Sequence, residues 1–331
     1  MTERRRRLPA WNTPVLTSVA PVVESARHVT VDTEAIDRVA GWMAYEDFDT
    51  PPSGPQFDVR YEDDDLIDWT MLNAALNFAF TDFETAERFD TTYLGKTWAD
   101  SEAMYACFDR AITEGVPVLD GSWMAMVTRP ELNAIFDGTI EIPMLDERVS
   151  ILNEMGTALV DRYDGRFHTF VRGCEPAMYR DGNGLLERLI AEFPRFNDVS
   201  LFDGHEVQIH KLAQLGLWSL HRIGAVPLDD IAAMSAFADY IVPVALRAMG
   251  ILSYTEELAT TIDTRTMIPR DSAEEIELRA SSLWATADLT EAVNVLRPDN
   301  MQLVIPQVDY RLWRAYHASF APHHLTRTIM Y

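Results

Sequence analysis

A chain of 331 residues, 47% of them hydrophobic, is long enough to bury a sizeable core as one large domain or two modest ones. Lysine and arginine together number 28 against 52 aspartates and glutamates, a formal net charge of −24. That balance argues against duplex nucleic acid and for a small ligand over DNA or tRNA, since the one basic run is Arg4 to Arg7. Two cysteines, Cys107 and Cys174, make neither a zinc pattern nor a disulfide framework and fit a reducing cytoplasm. No apolar leader segment follows Arg7, and no span approaches the ~20 apolar residues of a membrane helix.

In chain order, residues 1–27, with Pro9, Pro14 and Pro21, predict an extended arm. Ile36, Val39, Trp42 and Met43 form the apolar side of a helix within 31–45. Residues 50–65 (TPPSGPQ, then EDDD) predict a polar connection. Residues 68–80 carry Leu72, Leu76 and the run NFAF, where helix and strand stay open. Residues 93–98 predict a strand. A helix follows over 101–114, with Cys107 in its core face and Gly115 as its stop. Thr128 and Glu131 make a capping box around Pro130, opening a helix to Phe136. An amphipathic helix spans 145–163, closed by Gly165, and another runs from Gly184 to Phe193. The alternation in 198–207 about Asp203-Gly204 predicts a hairpin.

The stretch 207–254 predicts three helices. Leu212, Leu215 and Ile223 line the first, which ends at Gly224 to Pro227. Asp229 or Asp230 caps a short second one with Ile231 and Met234, and a third follows Pro243 and stops before Gly250. Pro243 disfavours helical geometry at Val242, so 239–242 predicts a bend that aims the Asp239 carboxylate at a helix mouth. Backbone N–H groups there help keep it ionised. Lys211 lies one helix earlier. A lysine and an aspartate joined this way suit a glycosylase; the plainer reading is a capping aspartate and a surface lysine.

Ser272 and Glu275 form a second capping box, opening a helix to Leu289 with Ile276, Ala280, Leu283 and Ala287 as core face. Glu277, Ser281 and Trp284 share a neighbouring face; its plainer reading is a solvated Glu277–Arg279 surface with Trp284 half buried. Arg297 to Asn300 predicts a turn. Residues 309–317 predict a helix with Tyr310, Trp313 and His317 on one side, and 325–331 alternates like a strand. His205, His210 and His221 have no metal-ligand spacing, so no metal and no cofactor are expected.

FADYIVP at 237–243, preceded by HKLAQ and followed by EIELRASSLWA, resembles the queuosine salvage family of queuosine 5′-phosphate N-glycosylases. ALNFAF at 75–80, LDERVSILNEMG at 145–156, DYRLW at 309–313 and the closing RTIMY extend the likeness in the same order over about residues 70–331. The resemblance implies a mainly α fold with a few short strands and a core like that of helix–hairpin–helix DNA glycosylases. We expect a single domain over 1–331, with an α/β subdomain at 1–120 and a helical core at 121–331.

The activity implied is hydrolysis of queuosine 5′-monophosphate to release queuine, with no nucleic acid or membrane as partner. Queuine is a 7-deazaguanine, so its ring cannot be protonated at position 7, and the burden falls on the developing sugar cation. Asp239 is the expected catalytic carboxylate. Asp309 is expected to bind the base edge, with Phe237 and Tyr310 sandwiching the ring. Lys211 is expected to hold the 5′-phosphate, backed by His210 and Arg327, or to orient Asp239. Phe80 and Trp284 complete the expected substrate contacts. Many family members have Trp where this chain has Thr81. That departure leaves room for a non-catalytic deazapurine-binding protein; a DNA glycosylase is the third reading.

Overall fold

The structure, a computed structural model, describes residues 6–48, 61–317 and 321–331. Among them, fourteen α-helices outnumber six short strands, and each strand pairs with a single antiparallel partner. The mainly helical expectation holds. The chain forms two compact units, and neither is contiguous in sequence. One contains Met1–Pro51, Asp198–Gln214 and Asp230–Arg327; the other contains Pro52–Asn197, Leu215–Asp229 and Thr328–Tyr331.

The first unit is built on the 24-residue helix Ala273–Leu296. Its predicted core face, Ile276, Ala280, Leu283 and Ala287, packs on Val15, Leu16 and Val19. Its opposite side, Leu278, Ala285, Leu289 and Val293, packs on Ile36, Val39, Leu246 and Leu312. A helix apolar on both sides is a buried central strut. The solvated Glu277–Arg279 surface is therefore corrected, since both side chains are fully buried. Burial is tolerated because each is partnered. Glu277 Oε2 accepts the N–H groups of Arg27, His28 and Val29 at 3.0, 2.7 and 3.1 Å, and Arg279 forks onto Asp198.

The extended arm is also corrected. Residues Pro14–Ser25 form a helix that buries Val15, Leu16, Val19 and Val22. Pro14 occupies the first helical position, where no N–H is needed. Pro21 sits inside the helix, at a cost of ~3 kcal/mol. Burying four aliphatic side chains at roughly 1.5–3 kcal/mol each outweighs it. Trp42, expected in the core, is 43% exposed on the helix Thr33–Met43, its ring 5.4 Å from the Arg311 guanidinium. The strand Val29–Val31 pairs with Leu252–Tyr254, a register too short to show as alternation. Residues 325–331 make only one isolated bridge, between Leu325 and Met267, in place of the expected strand.

In the second unit the helix Asp63–Ala75 begins inside the expected polar connection, because Asp63, Asp64 and Asp65 favour a helix N-terminus. The rest of that connection, residues 50–60, lies outside the described residues. The predicted strand at 93–98 covers the turn and most of the second strand of a hairpin, Asp90–Tyr93 with Lys96–Ala99. The helices Asp100–Thr113, Leu145–Arg162 and Leu185–Glu192 lie where expected. Gly156 lets the Leu145–Arg162 helix meet the short helix Gly121–Met124, since a Cβ there would run into the Ala125 nitrogen.

Candidate active site

Asp239 stands just before a bend at 240–241, shorter than predicted because Val242, expected to be non-helical, already begins the helix Val242–Ala248. The Asp239 N–H donates to Phe237 O (2.7 Å), a tight turn that swings the side chain back toward the chain ahead. Its Oδ1 accepts the N–H groups of Ile241 (2.8 Å) and Val242 (2.9 Å) at the start of the helix Val242–Ala248. Pro243 stands in the first turn of that helix. Asp239 as a whole is only 9% exposed. Burial raises its proton affinity above the ordinary carboxylate range. The positive charge of Lys211, the two N–H groups and His323 oppose that rise without cancelling it.

Lys211 opens the helix Lys211–Arg222 and is 5% exposed. The chain reaches it from the hairpin Val199–Phe202 and His205–Gln208, whose turn places Asp203 and Gly204 at positive φ. His210 also takes positive φ (+49°), and its N–H donates to Asp198 O (3.1 Å). Three residues into the helix, Gln214 clasps the segment leading to Asp239. Its Oε1 accepts Ser235 N–H (3.0 Å), and its Nε2 donates to Ser235 Oγ (2.8 Å) and Ile209 O (3.0 Å).

Asp309 lies in the helix Ile305–Tyr316, which begins four residues before the predicted start. It is 4% exposed, and its Oδ1 accepts Phe237 N–H at 2.9 Å. Burial pushes its carboxyl well above the ordinary range; the negative charge of Asp239 pushes the same way. The Phe237 N–H and Lys211 pull against them. Phe237 is buried, and the half-buried Tyr310 lies 6.1 Å from Trp313, which stacks on His317 at 4.3 Å. The backbone thus brings Asp239, Phe237, Asp309 and Lys211 into one electrostatic neighbourhood, with Tyr310 next in the chain to Asp309.

Trp284 and Phe80 are placed differently. Trp284 meets Trp11 edge-on at 5.1 Å, with the Arg6 guanidinium over both rings. Phe80 belongs to the second unit, 4% exposed, with the Arg148 guanidinium 5.3 Å from its ring. Thr81 forms an antiparallel bridge with Arg88. Arg327 is exposed and His210 is buried. The short second helix is a single 3-10 turn, Ile231–Ala233, with Asp230 at its N-cap position but not bonded to the turn's N–H groups by its side chain.

Four residues of this neighbourhood were not assigned to the site from sequence: Asp198, Gln214, Arg279 and His323. Gln214 and Arg279 lie inside matched motifs, which was the available signal; His323 stands in a segment without periodicity. The His323 ring lies 4.6 Å from that of Tyr240. Among the described residues no group of three His, Cys, Asp or Glu is placed to hold a metal. A surface depression of about 350 Å³ is lined by Pro117, Asp120, Trp123 and Met126 among others, and none of the Asp239 neighbourhood lines it.

A buried carboxylate held by two N–H groups, with a lysine opposing its protonation, can stabilise a developing cation. The family model described as queuosine salvage protein matches residues 57–331. A Sphaerobacter thermophilus protein named queuosine 5′-phosphate N-glycosylase/hydrolase is 34% identical, over 96% of this chain and 97% of its own length. Proteins of the same name from Schizosaccharomyces pombe and Mus musculus are 30% and 28% identical, over 87% and 94% of this chain and 87% and 96% of theirs. With most of its length matched, this chain belongs to the queuosine salvage protein family.

Proposed function

We propose that this protein hydrolyses the N-glycosidic bond of queuosine 5′-monophosphate and releases queuine for reuse in tRNA modification. Membership of the family supports the reaction. The observation that carries the residue assignment is the anchoring of Asp239 on the Ile241 and Val242 N–H groups. Bond cleavage leaves positive charge on the sugar, and a carboxylate fixed beneath the anomeric carbon stabilises it without reorganising. The backbone bonds hold Oδ1, which leaves Oδ2 to face the sugar.

Asp309 binds the edge of the base, between Phe237 and Tyr310. Lys211 keeps Asp239 anionic, a role its charge on both carboxylates supports, and is the first cation available to the 5′-phosphate. The helix Lys211–Arg222, the turn after it and the helix Val242–Ala248 are read as a helix–hairpin–helix core of the DNA-glycosylase kind. The net charge of −24 supports a free nucleotide over a nucleic acid as substrate. No described helix is long and apolar enough to cross a membrane, and the cytoplasm is the proposed site of action.

The test is direct. Incubation with queuosine 5′-monophosphate is expected to yield free queuine and ribose 5-phosphate. Asp239→Asn is expected to lose at least ~100-fold in turnover, the scale of ~3 kcal/mol of electrostatic stabilisation, while still binding the nucleotide. Full turnover by that variant would refute the assignment of Asp239, and tight queuine binding without cleavage by the wild type would refute the reaction.

A further inference from the structure

Beneath the Asp239 bend lies a buried ion pair that the reaction itself does not require. Arg279, in the central helix Ala273–Leu296, is fully buried, and Asp198 is 1% exposed. The guanidinium forks onto the carboxylate, Nη1 to Oδ1 at 3.1 Å and Nη2 to Oδ2 at 2.5 Å. Glu275 Oε1 lies 3.7 Å from Nη1. Two such ions are expensive to bury, and an apolar pair would fill the space at lower cost. Their other bonds point to what they do.

Arg279 Nε donates to Ala238 O at 3.3 Å, the carbonyl of the peptide bond that leads into Asp239. Asp198 reaches the other side of the site. Its backbone O accepts the N–H groups of Ile209 and His210, and its Oδ2 accepts Lys211 N–H at 3.4 Å. The pair therefore grips both the peptide before the carboxylate and the backbone that launches the lysine. His210, at positive φ, gives Lys211 its departure angle while bonded to Asp198. Lys211 is in turn the strongest charge opposing protonation of Asp239.

We infer that Arg279 is a positioning residue: through Asp198 and Ala238 O it sets the separation of Lys211 and Asp239. The inference rests on the reading of Asp239 as the reacting carboxylate. The guanidinium fork is what the task needs, because one planar group must bond a carboxylate in two places and a carbonyl in a third. A lysine keeps the charge but not that geometry.

The test is Arg279→Lys, assayed for queuine release across pH, beside Asp239→Asn and Glu291→Gln. Glu291 lies on the same helix and is 2% exposed. It accepts the N–H groups of Arg7 and Leu8 and the Trp11 indole N–H, away from the site. Arg279→Lys is expected to lower kcat at least about tenfold, with KM within about threefold of wild type. The acid limb of its kcat profile should move to higher pH, since Lys211 then shields Asp239 less well. Lys211, His323 and the N–H groups of Ile241 and Val242 act on Asp239, which in turn acts on Asp309, and none of these groups is altered.

Glu291→Gln is expected to lower the melting temperature and leave kcat and the acid limb unchanged. The inference is overturned if Arg279→Lys keeps kcat within about twofold, or loses it with the acid limb unmoved. If Arg279→Lys does not fold, Asp198→Asn, which keeps the shape but replaces one of the two acceptor oxygens with an N–H donor, is judged by the same two readouts. Failure of the Asp239 reading is separate: it shows as turnover retained in Asp239→Asn.

Discussion

Asp309 accepts the N–H of Phe237, two residues ahead of Asp239, so two buried carboxylates depend on one short stretch of backbone. Both carry raised proton affinities, Asp309 the more so. A carboxyl whose folded-state pKa is raised leaves the native state binding more protons than the unfolded chain. Its stabilising effect is complete below the ordinary carboxylate value of 3.8 and is lost as pH rises through the folded value. Asp309→Asn removes that penalty. It is expected to raise Tm at pH 8 by a few degrees, since each tenfold in proton affinity is about 1.4 kcal/mol. The gain should vanish toward pH 4, as thermal melts from pH 4 to 8 will show; a gain independent of pH contradicts the account.

Lys211 supplies the counter-charge. Lys211→Met should raise the proton affinity of Asp239 further, because burial then acts with less opposition. Turnover at neutral pH is expected to fall about 30-fold, for ~2 kcal/mol of lost charge interaction. The acid limb of kcat should shift to higher pH, and Lys211→Arg should restore its position in part. If Lys211 served the phosphate alone, KM for the nucleotide would rise while the limb stayed in place. Steady-state kinetics on nucleotide and nucleoside separate the two.

The Asp239 bend was legible because its signals are local: a proline fixes the helix start, and a carboxylate three residues before Val242 finds free N–H groups. Lys211 was paired with Asp239 by its place one helix earlier, whereas Asp309 came from a matched motif and not from spacing. The supporting groups were not legible. Asp198 and Arg279 stand 81 residues apart, and no period connects them. Helix Ala273–Leu296 showed one core face because periodicity finds one stripe, whereas a helix packed on two clusters has two. Buried carboxylates such as Glu277 look like surface charge until the N–H groups they accept are known.

Glu277 yields a third prediction. Its Oε2 collects the N–H groups of Arg27, His28 and Val29 just where the chain enters the strand Val29–Val31. Charged acceptors of this kind contribute roughly 1.5–3 kcal/mol, more than a neutral amide can supply. Glu277→Gln is expected to lower stability by about 2 kcal/mol. It should also speed proteolysis between the helix Pro14–Ser25 and the strand, because that junction loses its anchor. Urea unfolding and limited digestion measure both; unchanged cleavage rates would show that the strand pairing alone holds the segment.

Tyr310 and Trp284 are expected to divide recognition from packing. Both were expected to touch substrate, and both are half buried. Tyr310 follows Asp309 on a helix whose aromatic row continues through Trp313 and His317. Trp284 is engaged with Trp11 and Arg6. Removing a ring that stacks on a flat base costs about 1–1.5 kcal/mol of binding, so Tyr310→Ala should raise KM roughly tenfold with little change in Tm. Trp284→Ala should do the reverse. Loss of the Trp11 contact and the Arg6 cation–π stack is expected to cost about 1–3 kcal/mol of stability, with KM within about twofold of wild type. Kinetics and thermal melts on both variants decide the matter, and a large KM effect from Trp284→Ala would return that ring to the binding site.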